Sequence, residues 1–171
     1  SLELIRRLNF KPDIIHVHDC QTGLIPAMLK NTFSEDASLK KTRSVFTVHN
    51  LSEQGLFPPD TVPETGLDWK EFTVSRIRLH GKISFLKAGF VFADSLSTVS
   101  RKYAEEIQTP EFGYGLEDVI RSRAEDLVGI VNGIDTAIWN TETDTAVVRN
   151  YSADTVALRA ENTASLEREV G

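Results

Sequence analysis

The apolar positions of this chain change their spacing several times along its length. Leu2, Leu4, Ile5 and Leu8 recur at helical intervals, and Pro12 then breaks the pattern. The next run, "IIHVH", is apolar enough to predict a strand covered on both faces. "TGLIPAMLKNTF" returns to helical spacing, the polar "SEDASLKKT" reads as a loop, and "RSVFTVH" is β-branched and aromatic, as a second buried strand would be. Strand, helix and strand in that order predict a parallel unit.

The stretch from Asn50 to about Thr65 contains Pro58, Pro59, Pro63 and Gly55; it is too irregular for regular structure and long enough to be a functional loop. "GKISFLKAGFVFAD" reads as a helix apolar almost all round, hence buried, with Lys87 either snorkelling to water or paired with a carboxylate. "SLSTVS" predicts a short strand whose Ser100 caps the helix "RKYAEEIQ". "TPEFGYGLEDVIRSRAE" has turn residues and then a short amphipathic helix, "DLVGIVNGID" a strand ending on Asn-Gly, and the tail from Tyr151 a charged helical pattern. About four strands alternating with helices, without internal repeat or low-complexity tract, predict an α/β fold: a Rossmann-like, doubly wound parallel sheet with flanking helices.

Composition narrows the partners. At 171 residues the chain is long enough for one domain burying roughly 70% of its unfolded surface, and 40% hydrophobic with 26% charged residues is ordinary globular composition. A net charge of −6 without any basic block argues against a nucleic-acid or anionic-membrane surface as the main partner. The single cysteine, Cys20, forms no internal disulfide and fits a reducing compartment; no apolar run approaches bilayer-spanning length, and the amphipathic N-terminus lacks a signal-peptide core. The first residue is not Met, and the chain reads as an internal segment of something longer.

In open parallel sheets ligands bind beyond the carboxyl ends of the strands. That rule gathers His18 and Asp19, His49 and Asn50, Ser100, and Asn132, Gly133 and Asp135 onto one expected rim. His16 and His18, two apart on a strand, share a face and would suit a metal only if further ligands joined them; His16 reads first as a hydrogen-bonded core histidine. Asp19 reads either as a functional carboxylate or as an N-cap for the helix starting near Cys20, His49 as a ligand contact or a strand-end cap, and "VNGID" as a tight turn in which Asp135 caps the next segment. "EFGYG" is no phosphate loop; neither GxGxxG nor GxxxxGK[ST] occurs, and Cys20 has no neighbouring cation to activate it.

Four segments in series, "PDIIHVHDCQTGLIPAMLK", "SVFTVHNLSEQGLFP", "GKISFLKAGFVFADSLSTVS" and "YAEEIQTPEFGYGLEDVIRSRAEDLVGIVNGIDTAIWNTETD", resemble bacterial glycogen synthase and plastid starch synthase, from Pro12 to about Asp144. The resemblance implies a retaining glycosyltransferase of the GT-B type, with two Rossmann-like domains around a cleft, moving glucose from ADP-glucose to the non-reducing end of an α-1,4-glucan. It implies neither metal nor cofactor beyond the nucleotide-sugar substrate. Residues 1–150 would be part of the N-terminal domain and residues 151–171 a helical segment leading to the C-terminal domain.

By the same resemblance His49 matches the active-site histidine that contacts the transferred glucose, Asp19 a carboxylate needed for activity, and Asn132 an asparagine reaching the sugar. Asn50 and Gln54 match the loop beside the acceptor, with His18 supporting. Cys20 and Gln21 stand where the family usually has an aromatic residue and a histidine, and Glu53 where it has Tyr, which bears on acceptor preference. The family's Lys-Thr-Gly-Gly loop and its C-terminal domain have no counterpart in these 171 residues. The chain alone is therefore expected to be inactive, with an unpaired sheet edge where further strands would lie. The expected compartment is the bacterial cytoplasm or the plastid stroma. A noncatalytic glucan-binding or interaction domain of the same fold is the alternative, and a metal-dependent hydrolase built on His16, His18 and Asp19 a third reading.

Overall fold

A computed structural model describes residues 2–171. The chain divides into two compact units, one ending at Val131 and the other beginning at Asn132. The first is built on a four-stranded, wholly parallel sheet of β1 (Ile14–His18), β2 (Arg43–Val48), β6 (Ser95–Thr98) and β7 (Leu127–Gly129), in the order β1-β2-β6-β7. Helices α1 (Leu2–Arg7), α2 (Asp19–Thr22), α3 (Leu24–Lys30), α4 (Phe85–Phe92), α5 (Arg101–Glu106) and α6 (Glu117–Arg121) connect or flank the strands.

Among the described residues the helices cover one face of the sheet. Val17, Phe46, Val48 and Leu96 point into a core that α4 supplies with Leu86 and Phe90, and Ile107, Leu116 and Ile120 complete it. On the other face Ile14 is 60% and Val128 53% exposed, and His16, His18, Arg43 and Ser95 are exposed with them. The strand order explains this: the sheet grows in a single direction, and right-handed crossovers then deliver every connecting helix to the same side. Reversal of direction, which would place helices on the second face, does not occur among the described residues. β1, expected to be buried on both faces, is buried on one among the described residues.

Helix α4 is the buried helix that its apolar sequence predicts, but it begins later, because the Ser84 hydroxyl accepts from the Lys87 N–H and caps it there. The residues before it form β5 (Lys82–Ser84), the centre of a small antiparallel sheet with β3 (Leu56–Phe57), which lies in the expected loop, and β4 (Arg78–Leu79); β5 itself takes the start of the expected helix. His80 and Gly81 close the β4–β5 hairpin with φ of 49° and 76°, the two left-handed residues that a two-residue hairpin turn needs. Lys87 neither snorkels nor meets a carboxylate. It is 3% exposed, and its Nζ donates to the carbonyls of Val74 and Arg78, tying the segment before β4 to α4. Burial lowers its pKa.

Asp94, directly after α4, fastens three elements. Its carboxylate accepts from Lys30 Nζ at 2.5 Å, Arg43 Nη1 at 2.9 Å, and the Ser44 N–H and hydroxyl at 2.8 and 2.9 Å. Burial pushes this carboxyl up, but the hydrogen bonds from Lys30, Ser44 and Arg43 outweigh burial and hold it well below the usual carboxylate range. Asp94→Ala is expected to cost about 2–3 kcal/mol, mainly by stranding the Ser44 donors, since the two cations can turn to water. A folded-state pKa below the unfolded value contributes stability that is present above about pH 4 and lost as pH falls further. Urea midpoints of protein and variant should therefore differ at pH 7 and converge toward pH 2.

The second unit, from Asn132, contains turns and α7 (Arg159–Val170), and none of its residues is buried. Asp135 caps as expected, its Oδ1 accepting from the Ala137 and Ile138 N–H groups at 3.0 and 3.2 Å. Asn162 on α7 exchanges two hydrogen bonds of 2.8 Å with the Arg149 backbone.

Candidate functional site at the carboxyl edge of the sheet

β1 and β2 run parallel in a register that sets His18 beside Thr47, so their carboxyl ends finish together and the next residues, Asp19 and His49, meet. Asp19 leaves the strand with φ of 52°, a left-handed conformation that costs a non-glycine residue about 1 kcal/mol or more. The carboxylate does not cap α2, whose N-cap is His18 without a side-chain bond. It crosses to the end of β2 instead, where Oδ1 accepts from the His49 N–H at 2.7 Å and the Asn50 N–H at 3.5 Å. Asp19 thus holds the turn that presents His49.

The open face next to that turn carries a polar ladder. His18 Nδ1 lies 3.1 Å from His49 Nε2, and the His16 and His18 rings stack with centroids 4.3 Å apart. His16 Nε2 is 2.6 Å from Thr47 Oγ1, which is itself 2.6 Å from Ser97 Oγ on β6. Partial burial lowers the pKa of His16, and the neighbouring His18 and His49 imidazoles act in the same direction. The Thr22 hydroxyl fixes His18 from below by accepting from its N–H at 2.7 Å and donating to its carbonyl at 2.5 Å. Among the described residues, no three His, Cys, Asp or Glu side chains converge in a metal-holding arrangement.

The loop after His49 is ordered by its own polar groups. Asn50, exposed, folds its Oδ1 back onto the Ser52 N–H and hydroxyl at 3.1 and 2.8 Å, and the Leu51 N–H donates to the Tyr103 phenol at 3.0 Å. Gln54 is only 8% exposed; its Nε2 donates to the Tyr114 carbonyl at 2.8 Å, and Tyr114 is itself left-handed with φ of 50°. The buried amide therefore pins "EFGYG" to the loop. Gly55, at φ of 57°, lies so close to α2 that a Cβ there would stand 2.8 Å from the Cβ of Cys20. Cys20 is buried under this contact, and burial pushes its thiol pKa up, with the Asp19 and Glu53 carboxylates adding to the effect, which disfavours the thiolate.

Sheet and loop thus bring together His18, Asp19, His49 and Asn50, with Gln54 beneath the loop. Asn132 is not at a strand end: β7 stops at Gly129, and Asn132 is the exposed first residue of the second unit. Sequence reasoning missed Thr22, Thr47, Ser97 and Tyr103. The first sits four residues beyond His18, a spacing at which a hydroxyl can reach back to the backbone; the other three contacts depend on strand register and on a tertiary fold that single positions do not reveal.

A parallel sheet flanked by helices, its carboxyl edge gathering imidazoles, a carboxylate and an amide beside an irregular loop, is the arrangement of a Rossmann-like domain. The family model described as "Starch synthase catalytic domain" matches residues 1–122. Glycogen synthase of Koribacter versatilis is 46% identical over 160 residues, covering 94% of this chain and 33% of that protein. Glycogen synthase of Thermotoga maritima is 43% identical over 171 residues, covering the whole chain and 35% of the relative. The catalytic domain of starch synthase IV from Arabidopsis thaliana, solved bound to ADP and acarbose, superposes with a TM-score of 0.79 at 31% identity over 99% of this chain and 35% of its own. The chain belongs to the starch synthase catalytic domain family, a family of glycosyltransferases, and spans about a third of the length of these relatives.

Proposed function

We propose that this chain is part of the donor- and acceptor-handling N-terminal domain of a retaining α-1,4-glucan synthase that uses ADP-glucose. The observation that carries the reading is the exposed His49 imidazole at the sheet's carboxyl edge, with its backbone held by Asp19 and its ring by His18. Side chains so fixed suit the recognition of sugar hydroxyls, which needs oriented donors and acceptors and no strong nucleophile. The ADP and acarbose of the Arabidopsis relative support the same classes of ligand.

In this reading the bond between the glucose anomeric carbon and the diphosphate oxygen breaks, and the acceptor 4-hydroxyl forms the new glycosidic bond, releasing ADP and a proton. Positive charge develops on the sugar ring in the transition state, where a nearby carboxylate or carbonyl stabilises it. Asp19 keeps one oxygen, Oδ2, without a protein hydrogen bond among the described residues. His49 contacts the transferred glucose, Asn50 and Asn132 supply amides toward the sugars, and Gln54 shapes the acceptor side through the Tyr114 turn. Residues 1–150 form part of the N-terminal domain and residues 151–171 lead toward the C-terminal one. The protein works in the bacterial cytoplasm or the plastid stroma.

Binding energy and charge stabilisation come from both sides of such a cleft, so the 171 residues alone should not turn over. The assay is transfer of radiolabelled glucose from ADP-glucose to maltohexaose, by residues 1–171 and by the complete product of the open reading frame. Transfer is expected only from the complete product. Turnover by residues 1–171 refutes the division of labour, and maltohexaose binding without transfer by the complete product supports the noncatalytic alternative.

A further inference from the structure

We infer that His18 is a positioning residue whose Nδ1 fixes the tautomer and orientation of His49 through the 3.1 Å contact between their rings. This rests on the reading of His49 as the imidazole that meets the transferred sugar. His49 Nε2 has its ring partner in His18, which leaves Nδ1 as the nitrogen free for a ligand. Only one proton fits between two ring nitrogens at that separation. The state of His18 Nδ1 therefore decides whether His49 offers a donor or an acceptor at its other nitrogen.

His18 is built to hold that position. Its backbone is clamped on both sides by Thr22 Oγ1, and its ring stacks on His16, which is anchored through Thr47 to Ser97 on the neighbouring strands. Among the described residues, the titratable groups in contact with the pair are His16, stacked on His18, and Asp19, whose carboxylate accepts from the His49 N–H; the hydroxyls of Thr47 on β2 and Ser97 on β6 lie beyond His16. The His18 ring belongs to none of the apolar clusters of the domain, and among the described residues its one directional contact is with His49.

The contact runs through Nδ1, the nitrogen next to Cγ, and that makes the idea testable with two variants in the complete product of the open reading frame. In His18→Asn the amide sits on Cγ, close to where Nδ1 was, so the bond to His49 is kept while the stacked ring is lost. In His18→Phe the ring and its stack on His16 are kept while the bond is lost. If His18 positions His49, His18→Phe lowers kcat for glucose transfer roughly 30- to 100-fold, with KM for maltohexaose changed less than about twofold and His18→Asn within about fivefold of the parent. If His18 only packs, the order reverses.

Long-range proton–nitrogen NMR correlations of the His49 ring give a readout independent of turnover. The tautomer signature of His49 should shift in His18→Phe and stay in His18→Asn. An unchanged His49 signature in His18→Phe, or better activity from Phe than from Asn, overturns the inference. A parent protein that transfers no glucose, with the His49 signature responding as described, leaves the positioning intact and refutes instead the function proposed for the site.

Discussion

Asp19→Ala is expected to lower glucose transfer by the complete enzyme at least about 100-fold, the penalty for a misplacement of about 1 Å at a reacting centre. Two effects act together. The substitution strands the His49 and Asn50 N–H groups that Oδ1 accepts from, at 2.7 and 3.5 Å, and so releases the turn that presents His49. It also puts alanine at φ of 52°, where a side chain without a local acceptor is strained. Asp19→Asn separates position from charge. Asparagine tolerates the left-handed region, and its amide oxygen can accept the same two bonds, so the turn survives while the charge is gone. If holding the turn is the main task, Asn keeps activity within about tenfold of the parent and Ala does not. Equal losses in the two variants, measured as kcat/KM for ADP-glucose, make the carboxylate charge the working element and refute the positional account.

The edge on which these residues meet is legible in the sequence. The strand-end rule needs only the approximate ends of "IIHVH" and "RSVFTVH", and the structure ends those strands at His18 and Val48. Ser100 as a helix cap was legible for the same reason, because capping is local: the Tyr103 N–H donates to its hydroxyl at 2.9 Å, three residues away. Direction across the sheet is not local. That His18 touches His49 rather than solvent follows from the β1–β2 register, and that Asp19 reaches over β2 instead of capping α2 follows from one left-handed residue that no pattern of apolar positions encodes.

Three expectations failed through missing tertiary context. An apolar run does not say how many faces of a strand are packed, and among the described residues β1 is packed on one of the two expected. Strands of two and three residues carry no readable period, so β3 is hidden within an apparent loop and β5 within the first turn of a helix. The apolar "LVGIV" was expected to run as a strand to the Asn-Gly pair, but pairing ends at Gly129, with Val131 71% exposed. Consequently the site forms from the ends of β1 and β2 and the loop after β2, and the role of Asn132 rests on the family resemblance alone.

Gly89→Val is expected to destabilise the protein more than any of these site variants, by about 3–5 kcal/mol. Gly89 lies in the middle of α4, where helix propensity alone would favour replacing it by about 1 kcal/mol for alanine. Packing decides the sign. A Cβ at this position would stand 2.4, 2.5 and 2.7 Å from three carbons of the Phe46 ring, well inside van der Waals contact. Phe46 has no room to retreat: it is fully buried at the centre of β2, with the Phe90 ring edge-on to it at 5.5 Å and Val48 and Leu96 in the same core. The helix would have to lift from the sheet, carrying with it Ser84, Lys87 and the Arg123 guanidinium, which donates to the carbonyls of Phe90 and Ala93 just beyond. Gly66→Ala is the control, a glycine at φ of 72° with nothing within 4 Å of the new Cβ, expected to cost only about 1 kcal/mol of backbone strain. Equilibrium denaturation in urea compares the two directly. A Gly89 variant no less stable than the Gly66 variant would mean that α4 and Phe46 are not in the contact that holds the helix against β2.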